Sequence, residues 1–207
     1  MARTKQYGGE ELELRRAQRR QRLMEAGLEV FARDGYSAAS VPAVCAEAGL
    51  SSRQFYELFA NREALLTAIY TEVHANAMAS LTAAVDGFPS DMTELEPWIR
   101  VGLGAYFDHF RADPRRVRLC FIEVVGVSPE LEEQRRRTRE SWSGILDAAS
   151  RSIAAQGLIE ARDRTFDWTV FQGAVNAATV EYATRPEIEL ATVTAALMRL
   201  ITSGVLS

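Results

Sequence analysis

The stretch CAEAGLSSRQFYELFANRE, residues 45–63, decides how this chain is read. Gly49 breaks an apolar helical pattern, because glycine enters the left-handed backbone region without a Cβ clash. Ser51 follows as a helix cap, and Gln54 three residues on completes an S-x-x-Q capping box. Phe55, Leu58 and Phe59 recur at i, i+3 and i+4 and point inward, leaving Ser52, Arg53, Gln54 and Glu57 outside and Tyr56 at the edge. Asn61 is placed to cap the next helix, expected from about Arg62 to Ala84.

Upstream, Leu23, Ala26, Gly27, Val30 and Phe31 form one apolar stripe, which RDGY stops at Gly35. Ser40 caps a two-turn helix that tolerates Pro42 in its first turn and buries Val41, Val44, Cys45 and Ala48. A short helix, a glycine turn and a second short helix with a polar start are the plan of a DNA-reading helix-turn-helix. On that reading the third helix enters the major groove. Arg53 is then suited to guanine and Gln54 to adenine, both bidentately, while Ser51, Ser52 and Tyr56 can hydrogen-bond phosphates. A helical hairpin that only packs has the same pattern, and Gln54 serves equally as a cap.

The 207 residues are 47% apolar and 25% charged, which suits one large or two small soluble domains. A net charge of -4 excludes a uniformly basic coat, so the distribution matters. Residues 1–66 hold ten basic and nine acidic side chains, whereas the remainder hold fourteen and nineteen. Seven of the basic ones lie within residues 1–22, with Arg15, Arg16, Arg19, Arg20 and Arg22 crowded together. They read as a phosphate-facing arm or as a solvated tail.

Cys45 and Cys120 lie far apart, without zinc spacing, and read as small core residues; no metal or cofactor is expected. His74 and His109 by themselves make neither a metal site nor a catalytic dyad. With no phosphate-cradling glycine loop and no recognisable nucleophile–base pair, an enzyme is not expected. The start lacks a hydrophobic signal core and no apolar run approaches the ~20 residues of a membrane span, so a cytoplasmic protein is expected.

Strand signals are nearly absent, and the fold is expected to be all-α, with about nine helices. Beyond the fourth helix, turn signals at DGFPSD, ADPRR, GVSPE, AQGLIEARD and TRPE divide the chain into five more. Asp113–Pro114 and Ser128–Pro129 each pair an N-cap with a first-turn proline. The longest helix is expected at about 129–156, with a charged start and a buried stripe of Trp142, Ile145, Leu146, Ala149 and Ile153.

Residues 22–66 resemble the TetR family of bacterial transcriptional regulators. The family pattern runs from F-x-x-x-G-Y through a Ser or Thr cap to A-G-[VL]-S, [LF]-Y-x-x-F and [NS]-[KR]-E-x-L. Phe31, Gly35, Tyr36, Ser40, Ala48, Gly49, Leu50, Ser51, Phe55, Tyr56, Phe59, Asn61, Arg62, Glu63 and Leu65 meet it in order. The match covers about the first third; beyond it only helical layout and length agree. The resemblance implies phosphate contacts from Ser40, Ser51, Tyr56 and Arg62 and a base-reading surface at Ser52, Arg53 and Gln54. Pro42, Arg53 and Leu58 depart from the charged residue, glycine and histidine frequent at those positions, so an operator sequence cannot be borrowed. Arg53 contacting a phosphate is the alternative to base reading.

The resemblance divides the chain into a DNA-binding domain with its N-terminal arm, 1–66, and a ligand-sensing and dimerisation domain, 67–207. It implies a homodimer built by the last two helices of each subunit. Gly173, Ala174, Ala177 and Ala178 on one helix and Val193, Ala196, Leu197, Leu200 and Ile201 on the other are the matching faces, unless they are intramolecular core. It also implies a cavity for a small-molecule effector. Phe107, His109, Phe110, Phe121, Trp142, Trp168 and Phe171 offer aromatic lining, though such a stripe is also ordinary core. Glu123, in RLCFIEVVG, is costly to bury unpaired and meets a cationic ligand, an arginine or solvent. The expected function is a repressor released from palindromic double-stranded operator DNA by an effector; a DNA-organising or adaptor protein without an effector is the alternative.

Overall fold

The computed structural model describes residues 2–86 and 95–206, with side chains from residue 11 onward. The described residues form nine α-helices and no strand, as the sequence leads one to expect. Two compact units result, Met1–Tyr70 and Thr71–Ser207. The turn read at DGFPSD lies on residues 87–91 apart from Asp86, outside the described residues, as do the side chains of Arg3 and Lys5 from the basic arm.

The first unit holds α1 (Ala2–Asp34), α2 (Val41–Ala48), α3 (Ser52–Tyr56) and the start of α4 (Arg62–Val85). At 33 residues α1, not the helix near 129–156, is the longest. The basic arm is its leading half, where Glu, Leu, Arg, Ala and Gln are all good helix formers and Glu11 pairs with Arg15 one turn on. Its stripe is buried as expected, with Leu23, Val30 and Phe31 fully covered. Gly27 allows a close approach to α4: a Cβ there would lie 2.8 Å from both Ile69 Cδ1 and Leu65 Cδ2. Local caps do the rest. Ser40 Oγ accepts from the Ala43 amide at 3.3 Å, and Asn61 Oδ1 accepts from the Ala64 amide at 2.8 Å.

The second unit holds the rest of α4, α5 (Glu96–Arg111), α6 (Pro114–Arg118), α7 (Pro129–Ala155), α8 (Thr165–Thr184) and α9 (Leu190–Leu200). Helices α6 and α9 each run on into a π-helical turn, Leu119–Glu123 and Ile201–Val205. Asp113 and Ser128 cap α6 and α7 as expected, accepting from the amides of Arg115 and Leu131 at 3.1 and 3.0 Å.

The buried face of α7 is not the apolar stripe read from the sequence. Trp142 is buried, but Ile145 is 36% exposed, Leu146, Ala149 and Ile153 are only half-buried, and Ser143, Asp147 and Ser150 lie inside. These polar groups are satisfied. Gln172 on α8 donates to Ser143 Oγ at 2.6 Å, Ser150 donates to the Leu146 carbonyl, and Asp147 pairs with Arg151. Partnering removes most of the cost of burial, so periodicity of apolar residues alone misplaces the face.

Gly27→Val inserts branched bulk where α1 and α4 meet. It should destabilise the head by about 2 kcal/mol, read as a lowered urea midpoint with unchanged slope.

Candidate functional site

The start of α3 is the exposed polar surface of the first unit. Ser51 Oγ accepts from the Gln54 amide at 3.3 Å, while Gln54 Oε1 accepts from the Ser51 amide at 2.9 Å, closing the capping box. Gln54 is therefore engaged as a cap and only half exposed, so reaching a base requires leaving that bond. Ser40, Ser51 and Ser52 are exposed, Tyr56 is 59% exposed, and Arg53 projects with its side chain 90% exposed. Phe55 and Phe59 fix this surface from below: both are buried, with ring centroids 5.8 Å apart.

Arginines from other elements hold the turn in place. Arg22 Nη2 donates to the Ala48 carbonyl at 2.5 Å, where α2 ends at Gly49 with φ 61°. A cation on the terminal carbonyls complements the helix dipole. Arg20 lies 4.9 Å over the Phe59 ring. Arg62 stacks 4.1 Å over Tyr36 and donates to the Ala39 carbonyl, tying the 35–39 turn to the start of α4. Arg20, Arg22 and Arg62 thus have intramolecular contacts, and Arg16, Arg20 and Arg22 are all exposed. The sequence signal that identifies Arg62 as structural is Tyr36, but only the fold brings the two together.

In the second unit, two groups of aromatic side chains form. His74 on α4 is packed among Phe110 and Phe121, each 6.0 Å from its ring, and its Nδ1 accepts from Trp142 Nε1 at 3.4 Å. Tyr106 joins at 5.8 Å from Trp142. Burial, with His109 and Arg135 adding positive charge nearby, lowers the His74 pKa to about 4. Burial and then Arg116 also lower that of His109, whose Nε2 is buried without a hydrogen-bond partner. Both imidazoles are neutral at pH 7.

A recess of about 290 Å³ lies on the other side of Phe110, lined by Phe107, Phe110 and Arg111 of α5, Pro114 and Val117 of α6, Thr179, Tyr182 and Ala183 of α8, and Pro186 and Ile188 beyond it. Of the expected lining residues only Phe107 and Phe110 reach it. His109, Phe121 and Trp142 belong to the cluster around His74, and Trp168 and Phe171 pack on each other at 5.8 Å near the start of α8. Glu123 faces Arg118, whose Nε lies 3.1 Å away, so the arginine partner and not a cationic ligand meets its charge. Sequence reading missed Thr179, Tyr182 and Ile188 because α8 has no strong apolar periodicity and the turn after it closes the recess.

The two proposed dimer faces differ. Val193 and Leu197 of α9 and Ile201 of the π-helical turn after it are buried within the chain, which corrects their placement at an interface; Ala196 is half-buried and Leu200 is 52% exposed. On α8, Gly173 and Ala177 are exposed and Ala174 and Ala178 half-buried, and the row continues to Phe166 and Val170, 77% and 60% exposed. Among the described residues no helix is long and apolar enough to cross a membrane.

Residues 23–69 match the family model described as bacterial regulatory proteins, tetR family. The chain is 31% identical over 68 residues to the HTH-type transcriptional regulator UidR of Escherichia coli (strain K12), 33% of this chain and 35% of that one. It is 27% identical over 139 residues to the HTH-type transcriptional activator FasR of Mycolicibacterium smegmatis, 67% of this chain and 62% of that one. The matches thus span less than two thirds of these curated relatives. In fold it is similar to the transcriptional regulator FadR of Bacillus subtilis solved with stearoyl-CoA, at TM-score 0.77 and 18% identity over 89% of this chain and 98% of that one.

A histidine neutral in the fold takes up its proton on unfolding, so stability is full above pH 6.5 and is lost as pH falls toward 4. The loss attributable to His74 should reach about 3 kcal/mol. Chemical denaturation at pH 7.0, 6.0 and 5.0 should show about 2 kcal/mol of that fall, and His74→Gln should flatten it.

Proposed function

We propose that this chain, a member of the tetR family of bacterial regulatory proteins and so a DNA-binding transcriptional regulator, not an enzyme, is a cytoplasmic homodimeric repressor that a small molecule releases from a palindromic operator. The observation that carries the reading is the exposed polar start of α3, Ser52, Arg53 and Tyr56, held on a buried aromatic base by a closed capping box. Arg53 reads a base edge; Ser40, Ser51 and Tyr56 bind phosphates, and Arg62 holds the turn that presents Ser40. Residues 1–66 form the reading domain with its basic arm, and 67–207 the sensing and dimerisation domain.

The uncovered row on α8, Phe166, Val170, Gly173 and Ala177, supports pairing of two copies, with Ala174, Ala178, Ala196 and Leu200 at its margin. A two-fold dimer addresses half-sites about one DNA turn apart, ~34 Å. The effector occupies the recess lined by Phe107, Phe110 and Tyr182, with Arg111 supplying a positive charge. Because FadR of Bacillus subtilis was solved with stearoyl-CoA, a long-chain acyl thioester is the class to try first. Helix α4, which carries residues of both units, is the lever by which binding shifts the reading helices out of register.

Fluorescence anisotropy on DNA upstream of the protein's own reading frame, with excess unrelated duplex, tests this. Tight, competitor-resistant binding that stearoyl-CoA weakens tenfold or more is expected. Binding that hardly distinguishes sequences would favour the DNA-organising reading, and tighter binding with effector would overturn release by the effector. Val170→Glu, on a row exposed in the single chain, should yield folded monomers in sedimentation and lose at least tenfold in operator affinity.

A further inference from the structure

Arg53 alone is an ill-defined reader, because a long side chain 90% exposed samples many rotamers. Its neighbour one turn on narrows that freedom. Glu57 Oε1 accepts from Arg53 Nε at 3.3 Å, and Glu57 Oε2 faces Arg19 Nη1 of α1 at 3.6 Å. The Glu57 backbone is itself fixed, its amide donating to the Arg53 carbonyl at 3.1 Å where α3 ends. We propose that Glu57 is a positioning residue that sets the base preference of Arg53, buttressed from behind by Arg19.

With Nε engaged by the carboxylate, the two Nη nitrogens remain as a parallel pair of donors. That pair matches the O6 and N7 acceptors of guanine in the major groove. Engaging Nε also sets the guanidinium plane, which a phosphate contact does not require and a bidentate base contact does. A carboxylate on a DNA-facing surface repels phosphates, so Glu57 trades general affinity for discrimination. Glu57 therefore affects two observables in opposite directions, which a merely structural residue would not.

The inference rests on the DNA-reading role proposed above. The full chain is used to select duplexes from a random pool, and affinities are then measured for the consensus and for its single-base variants. Arg53→Ala identifies the base pair that Arg53 reads, as the one position where preference disappears. Glu57→Ala should lower discrimination at that position about tenfold, leave other positions unchanged and leave binding to unrelated duplex equal or tighter. Glu57→Gln, which keeps an acceptor for Nε, should retain most of the discrimination, and Glu57→Ala added to Arg53→Ala should change base preference no further, whatever it does to general affinity. Unchanged discrimination in Glu57→Ala overturns the inference. So does an effect on base preference that persists without Arg53, which would make Glu57 itself the reader, or a uniform loss with a lowered melting temperature. Failure of the wild-type chain to select any consensus sinks the DNA-reading role with it, whereas a consensus indifferent to Glu57 removes this inference alone.

Discussion

The reading surface depends on one backbone constraint, the left-handed turn at Gly49. A helix of five residues cannot hold itself together in water, since nucleation consumes most of what so few hydrogen bonds return. What orients α3 is the bend at Gly49, the Ser51–Gln54 capping box directly after it, and the burial of Phe55 and Phe59 beneath it. A side chain at position 49 would meet Arg22 Nη2 at 3.0 Å and strain a φ of 61°, so bend and brace are coupled. Every outward group on α3 inherits its direction from that bend.

Much of the first unit, and two helix starts in the second, are legible because their signals are local. Ser40, Asn61, Asp113 and Ser128 cap helices through atoms two or three residues away, and Gly35 and Gly49 announce their backbone state by lacking a Cβ. Residues whose work is done at a distance were not legible. Arg22 and Ala48 are 26 positions apart, and Arg62 and Ala39 are 23, so nothing in either neighbourhood marks these arginines as braces of the turn. Their charge was readable; its destination was not.

The larger unit was read less well for a related reason. Apolar spacing on α7 and α9 identifies helices but not the neighbour that covers each face. Ile145 is left partly outside because Ser143 and Gln172 supply each other with partners, making a polar contact as good a fit as an aliphatic one. Val193, Leu197 and Ile201 turn inward, and the exposed apolar row falls to α8, where Phe166 and Val170 continue the line of Gly173 and Ala177.

The polar seam between α7 and α8 bears on how the larger unit can deform. Apolar faces slide over one another at little cost, whereas the Gln172–Ser143 bond is directional and buried, and separating it strands a donor and an acceptor at roughly 1–3 kcal/mol each. The α7–α8 pair is therefore the stiff wall of this unit. The compliant wall is the opposite one, α5 and α6, where the recess is lined mainly by Phe107, Phe110, Pro114 and Val117 and the helix beyond relaxes into a π-helical turn at Leu119–Glu123. A molecule wedged between those walls would meet less resistance from α5 and α6 than from the hydrogen-bonded α7–α8 pair.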